Sequence, residues 1–109
     1  MTISYDDFAK LQICIGTVLA VEIVEDADKL LRLSVDLGEE SPRQIISGVR
    51  LYLEDPQSIV GKQFPFLTNL EPRTIRGFES NGMILAANAG DTFAFLEPTA
   101  ALPPGTLIK

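Results

Sequence analysis

Residues 30–47 read Leu30-Leu31-Arg32-Leu33-Ser34-Val35-Asp36-Leu37-Gly38-Glu39-Glu40-Ser41-Pro42-Arg43-Gln44-Ile45-Ile46-Ser47. Leu31, Leu33, Val35 and Leu37 alternate with Arg32, Ser34 and Asp36, the period-2 pattern of a strand with one face on a core and the other in solvent. Only Leu30 breaks the alternation. Gly38 to Pro42 supplies strong turn residues, and Arg43 to Ser47 then reads as the return strand of a hairpin.

Working outward, residues 13–24 read as a long strand. Ile13, Ile15, Thr17, Leu19, Val21 and Ile23 share one parity, with Gly16 placed as at a bulge or sharp bend. Residues 24–29 are polar and turn-like. Downstream, Asp55 suits a helix N-cap, Pro56 the first helical position and Gly61 the stop, which gives a helix of barely two turns. Residues 62–70 read as a fourth strand with Phe64, Phe66 and Thr68 on one face, broken by Glu71-Pro72. A polar loop containing Arg73, Arg76 and Gly77 precedes an apolar strand from Met83 to Ala87. Phe93, Phe95 and Glu97 mark a further short strand, and Pro103-Pro104-Gly105 a turn before Leu107-Ile108.

Three strands, a short helix, then more strands is the order of an all-β OB-fold, a five-stranded Greek-key barrel with its helix between strands three and four. The 109 residues fit one domain, with the barrel over about 8–88. The extension over about 89–109 exceeds the five-strand need and is expected to pack on a second copy.

Hydrophobic residues make up 46% and charged residues 22% of the chain, an ordinary globular balance that argues against disorder. The single cysteine, Cys14, forms no internal disulfide and fits a reducing, cytoplasmic compartment; it reads as an inert small residue. No apolar run approaches the roughly 20 residues of a bilayer span, and the N-terminus lacks the pattern of a secretory signal. With no histidine, the commonest general base and metal ligand are missing. No phosphate-binding, dinucleotide-binding or nucleophile-elbow motif is present. The expectation is a protein without catalytic residues, metal or cofactor.

Net charge is −6, unfavourable for a polyanion partner, since phosphate neutralisation supplies most non-specific affinity. The distribution is uneven. Residues 1–42 hold nine acids against Lys10, Lys29 and Arg32, whereas residues 43–79 hold Arg43, Arg50, Lys62, Arg73 and Arg76 against four acids. A basic face could form from Lys29, Arg32 and the middle of the chain.

Several ordered stretches carry a resemblance. They are Asp7-Phe8-Ala9-Lys10-Leu11, Ile15-Gly16-Thr17-Val18, Ala27-Asp28-Lys29-Leu30, Val35-Asp36-Leu37-Gly38 and Arg43-Gln44-Ile45-Ile46-Ser47-Gly48. Leu67-Thr68-Asn69-Leu70-Glu71-Pro72-Arg73, Ile75-Arg76-Gly77-Phe78-Glu79-Ser80-Asn81-Gly82-Met83 and Pro103-Pro104-Gly105-Thr106 follow. Together they resemble the tRNA-binding domain found at the C-terminus of many bacterial methionyl-tRNA synthetases and as freestanding dimeric tRNA-binding proteins. The resemblance implies an OB-fold, binding of the outer corner of tRNA with little sequence preference, and an accessory role beside a synthetase rather than aminoacylation. It also implies homodimers built through C-terminal segments, and a freestanding member here. Such binding needs no base code, because structured RNA is read largely through phosphates, 2′-hydroxyls and shape.

On that resemblance the RNA-binding candidates are Lys29, Arg32, Arg43, Lys62, Asn69, Arg73, Arg76, Ser80, Asn81 and Met83. Arg73 and Arg76 are the strongest, three apart in a polar loop beside Gly77, where backbone can approach a ligand closely. Each has a plainer reading. The cations, Arg50 included, also suit an exposed face, and Lys62 suits the end of the short helix. Asn69, Ser80 and Asn81 suit local turn bonding, and Met83 suits the core. The phenylalanines read as core and interface rather than stacking platforms. Gln12, Cys14 and Thr74 stand where the family commonly has an acid, an arginine and a lysine; Val24-Glu25 replaces a common His-Pro, and Asn81 a Gln or Glu. Two alternatives share the barrel: an export-chaperone-like dimer that binds unfolded polypeptide, and a piece of the phenylalanyl-tRNA synthetase β chain.

Overall fold

The Leu31–Ser47 segment forms a β-hairpin at one side of a five-stranded sheet. In the computed structural model, which describes residues 1–109, β2 (Leu31–Asp36) pairs antiparallel with β3 (Arg43–Ser47). Leu31, Leu33, Val35 and Leu37 are all buried and their polar neighbours are not. β1 (Ile13–Ile23) lies on the other side of β2, β4 (Gln63–Leu67) pairs with the first half of β1, and β7 (Met83–Ile84) follows β4. The five-stranded order is β3-β2-β1-β4-β7.

The two ends of this sheet curl toward each other into a nearly closed barrel. The segment before β7 bridges to β3: the Asn81 amide donates to the Gln44 carbonyl at 2.9 Å, and the Gln44 side chain donates to the Glu79 carbonyl at 2.9 Å. Val18, Val21, Leu31, Leu33, Val35, Ile45, Phe64 and Phe66 fill the interior. Burying each of the two phenylalanines is worth about 2–3 kcal/mol.

β1 departs from its expected register. Between Val18 and Ala20 the pairing with β2 slips by one residue, leaving Leu19 in a bulge. Before the slip the even positions Cys14, Gly16 and Val18 face the core; after it the odd Val21 does. Past the bulge only Val21 of the expected face is buried, Ile23 being exposed, and the bulge falls three residues later than Gly16. Gly16 answers a packing need instead. A Cβ there would lie 2.6 Å from Val35 Cγ1 and 2.9 Å from Phe66 Cδ1, so only glycine lets β1 approach the core this closely.

The connection from β3 to β4 is tighter than a two-turn α-helix. Single 3₁₀ turns span Arg50–Tyr52 and Pro56–Ile59. Asp55 caps the second through Gln57, as its position implies. A short helix absent from the sequence reading, α1 (Tyr5–Ala9), precedes the barrel. Ser4 and Asp7 form a reciprocal capping box at its start.

The polar loop at 73–80 is in fact a hairpin of β5 (Arg73–Ile75) and β6 (Phe78–Ser80). The expected Met83–Ala87 strand is split between β7 and β8 (Ala86–Asn88), and β8 pairs with β9 (Phe93–Phe95). Phe95 packs against Phe64, with ring centroids 4.9 Å apart. The tail turns at Pro103–Gly105 and runs back along β1 of its own barrel. The Ile15 amide donates to the Thr106 carbonyl at 2.8 Å, Gly105 to Ile15 at 2.7 Å and Ile108 to Ile13 at 2.8 Å. Gln63 holds Leu102 through both amide atoms, at 2.6 and 3.0 Å. Leu96, Leu102, Leu107 and Ile108 remain exposed on this segment. No helix is long and apolar enough to cross a membrane.

Candidate nucleic-acid interface

Two connections reach the same end of the barrel. The first, residues 24–30, is held by buried Val24 and Ala27 and by a hydrogen bond from the Leu30 amide to the Ala27 carbonyl at 3.1 Å. The second is the β5–β6 hairpin, whose two-residue turn is Arg76-Gly77. Both have positive φ, 52° and 83°, the signature of the turn whose twist matches paired strands. Arginine is an unusual occupant of left-handed backbone.

Three anchors set the hairpin on β2 and β3. The buried Ser80 hydroxyl accepts from the Ile46 amide at 3.0 Å and donates to the Gly82 carbonyl at 3.1 Å. The Gln44 side chain holds Glu79, and the Arg32 guanidinium lies over the Phe78 ring, 4.9 Å from its centroid.

Fixed in this way, the two connections meet. Asp26, Ala27, Asp28, Lys29, Leu30 and Arg76 line one cleft. Asp26 and Arg76 are the only non-glycine residues in the chain with positive φ, and both line this cleft. Strained backbone of this kind costs of order 1–3 kcal/mol per residue and concentrates at ligand-binding positions. Leu30 also lines an adjoining groove with Ser47, Arg73 and Met83. The Arg50 amide donates to the Lys29 carbonyl at 3.3 Å, which sets a further cation beside the first connection.

The ten candidates thus separate. Lys29, Arg73 and Arg76 are exposed, carry no ion pair and gather at this end, with half-exposed Met83 in the adjoining groove. Arg32 is ion-paired with Glu22 while it covers Phe78. Arg43 is spent on its own chain. Its Nε and Nη2 donate to the two Glu39 oxygens at 2.8 Å each, and its Nη1 to the carbonyls of Thr68 at 2.6 Å and Asn81 at 3.2 Å. The hydrogen bond from Arg43 holds the Glu39 carboxyl below its usual range, and the same bond raises the guanidinium. Asn69 is a staple: its Oδ1 accepts from the Gln12 amide at 2.8 Å and its Nδ2 donates to the Lys10 carbonyl at 2.6 Å. Ser80 is buried as described, and the backbone of Asn81 bridges to β3. Lys62 lines a different concavity with Glu97 and Thr99. The single basic face expected from the charge distribution is therefore a smaller cluster of mixed sign, since Asp26 and Asp28 share the cleft.

Residues 13–107 match the family described as "Putative tRNA binding domain". The chain belongs to this tRNA-binding domain family. The domain is 47% identical over 107 residues to the methionine–tRNA ligase of Methanococcoides burtonii, covering 97% of this chain and 16% of that protein. It is 46% identical over 108 residues to the ligase of Xanthomonas campestris, covering 98% and 16%. The tRNA-binding domain thus spans about a sixth of the length of these relatives. Among solved structures it superposes on a MetRS-related protein from Pyrococcus horikoshii with TM-score 0.92 and 30% identity, over 100% of this chain and 99% of that one. The chaperone CsaA of Bacillus anthracis superposes with TM-score 0.88 and 27% identity, over the whole of both chains.

What sequence reasoning missed in this domain is that Asp26 and Arg76 share one cleft. Arginine does not signal positive φ, so only the two-residue spacing between Ile75 and Phe78 hinted at the hairpin.

Proposed function

We propose that the domain binds tRNA by its folded shape, with little dependence on sequence, through the cleft between residues 24–30 and the Arg76-Gly77 turn. Membership of the tRNA-binding family gives the ligand class. The left-handed residues Asp26 and Arg76, which line one cleft, carry the choice of site. Lys29, Arg73 and Arg76 meet phosphates, and Arg50 adds to the local field. With so few free cations each contact matters, and because the salt slope scales with the number of phosphates neutralised, affinity falls by roughly tens-fold between about 50 and about 200 mM salt.

The domain lends affinity to a methionyl-tRNA synthetase-like system and performs no chemistry itself, a reading supported by its tRNA-binding family and by its spanning about a sixth of the ligases it matches. Exposed Leu96, Leu102, Leu107 and Ile108 support a homodimer formed through the C-terminal segment, which would set two clefts on one tRNA-sized particle.

Unfractionated tRNA titrated at about 50 mM and about 200 mM salt tests the reading. Micromolar binding that weakens sharply at the higher salt is expected; no retention at the lower salt ends it. A second reading, polypeptide binding, is supported by the likeness to the CsaA chaperone at TM-score 0.88. Retention of a denatured polypeptide with no retention of tRNA decides for that reading.

A further inference from the structure

The groove beside the cleft has features that phosphate contacts leave unused. It lies between the end of β3, the 3₁₀ turn at 50–52 and strands β7 and β8, and has a volume of about 390 Å³. Ile46, Met83 and Phe93 give it apolar walls. Phe93 stacks on Tyr52 with centroids 4.1 Å apart and planes 4° apart, and Asn88 Nδ2 donates to the Tyr52 hydroxyl at 3.0 Å. The aromatic wall is flat and fixed.

Ser47 lines the same groove and is only 7% exposed. Its hydroxyl has no hydrogen-bond partner in the chain. Every sealed side-chain polar atom of the molecule does have one, so the Ser47 Oγ opens onto the groove. A hydroxyl so deeply set and still free to donate and accept is an unfilled position for a polar ligand edge. Arg73, exposed and without a carboxylate partner, also lines the groove.

We infer that this groove receives one unpaired nucleobase of a bound RNA. The ring lies against the apolar walls, its polar edge meets the Ser47 hydroxyl, and the phosphate of the same nucleotide meets Arg73. The inference rests on the tRNA reading and specifies which part of the RNA is gripped. A flat heteroaromatic ring joined to an anion matches all three features at once. An apolar peptide side chain would fill the walls but leave Ser47 and Arg73 unengaged.

Three hairpin RNAs with one stem test this: one with a single-nucleotide bulge, one with an abasic bulge, one fully paired, each titrated against the whole chain alongside tRNA. The base-bearing bulge should bind about tenfold tighter than the abasic one, the lower end of what stacking one base supplies. Ser47→Ala, and separately Met83→Ala at a side chain 41% exposed, should each shrink that preference to about threefold or less, with melting curves confirming folded protein. Equal affinity for base-bearing and abasic bulges overturns the inference and leaves the tRNA reading standing. Failure of every RNA, tRNA included, overturns both. A denatured polypeptide that displaces the bulged RNA and shifts the Ser47 amide resonance without RNA assigns the groove to peptide and overturns the inference.

Discussion

Gly38 and Gly105 meet face to face across the seam between the β2–β3 turn and the C-terminal tail. A Cβ on Gly38 would lie 2.5 Å from the Pro104 carbonyl oxygen, and one on Gly105 would lie 2.5 Å from the Leu37 carbonyl oxygen. Both backbones are left-handed, with φ of 76° and 91°. Gly38→Ala and Gly105→Ala should therefore each lower stability by about 2–3 kcal/mol, combining backbone strain with a backbone clash. Because the two residues share one contact, the double variant should lose less than the sum, which urea unfolding would resolve.

The Arg43–Glu39 clamp makes stability depend on pH. Glu39 has its pKa depressed in the folded state, chiefly by the hydrogen bond from Arg43. Its contribution is complete above the unfolded carboxylate pKa and is lost as pH falls through the lower, folded one. Thermal melting of the wild type should weaken below the ordinary carboxylate range, and Glu39→Gln should flatten that part of the profile. Arg43→Lys, which cannot reproduce the planar fork, should cost about 1–2 kcal/mol at neutral pH.

Arg76 separates binding from stability. Arg76→Gly relieves its left-handed backbone, so melting temperature should hold or rise slightly. Affinity should fall alike for unrelated tRNAs, and the salt slope should shrink by about one phosphate contact. Selective loss for one tRNA would contradict recognition by shape.

Asn69 links residues before β1 to the loop after β4. Asn69→Ala removes partners from the Gln12 amide and the Lys10 carbonyl, and should cost about 1–2 kcal/mol. Limited proteolysis should then cut near residues 1–12 before the barrel is touched.

The fold was legible wherever burial alone decides. Leu31 to Leu37 alternates because one face of β2 meets the core and the other meets solvent. β1 was misread because a bulge reverses side-chain parity, and neither Val18, Leu19 nor Ala20 marks one. The 73–80 hairpin was read as a loop because Arg76 takes a conformation that glycine or asparagine usually announces. The site followed the same division. Charge type identified Lys29, Arg73 and Arg76, but nothing in the sequence of Arg43 or Arg32 shows that a carboxylate or a ring already holds each one. Ser47 drew no notice because a serine ending a strand carries no signal until its surroundings are known.

The tail's run along β1 carries a risk for engineering. β1 spends one edge on β4 up to Thr17 and the opposite edge on β2 from Thr17 onward, so residues 105–108 occupy the edge that β2 vacates. A version cut before Pro103 would leave the barrel interior filled but bare the amide of Ile15 and the carbonyls of Ile13 and Ile15. Such an open edge is a template for another chain, and the shortened protein should fail first by clumping strand to strand, in proportion to its concentration, before it fails by unfolding.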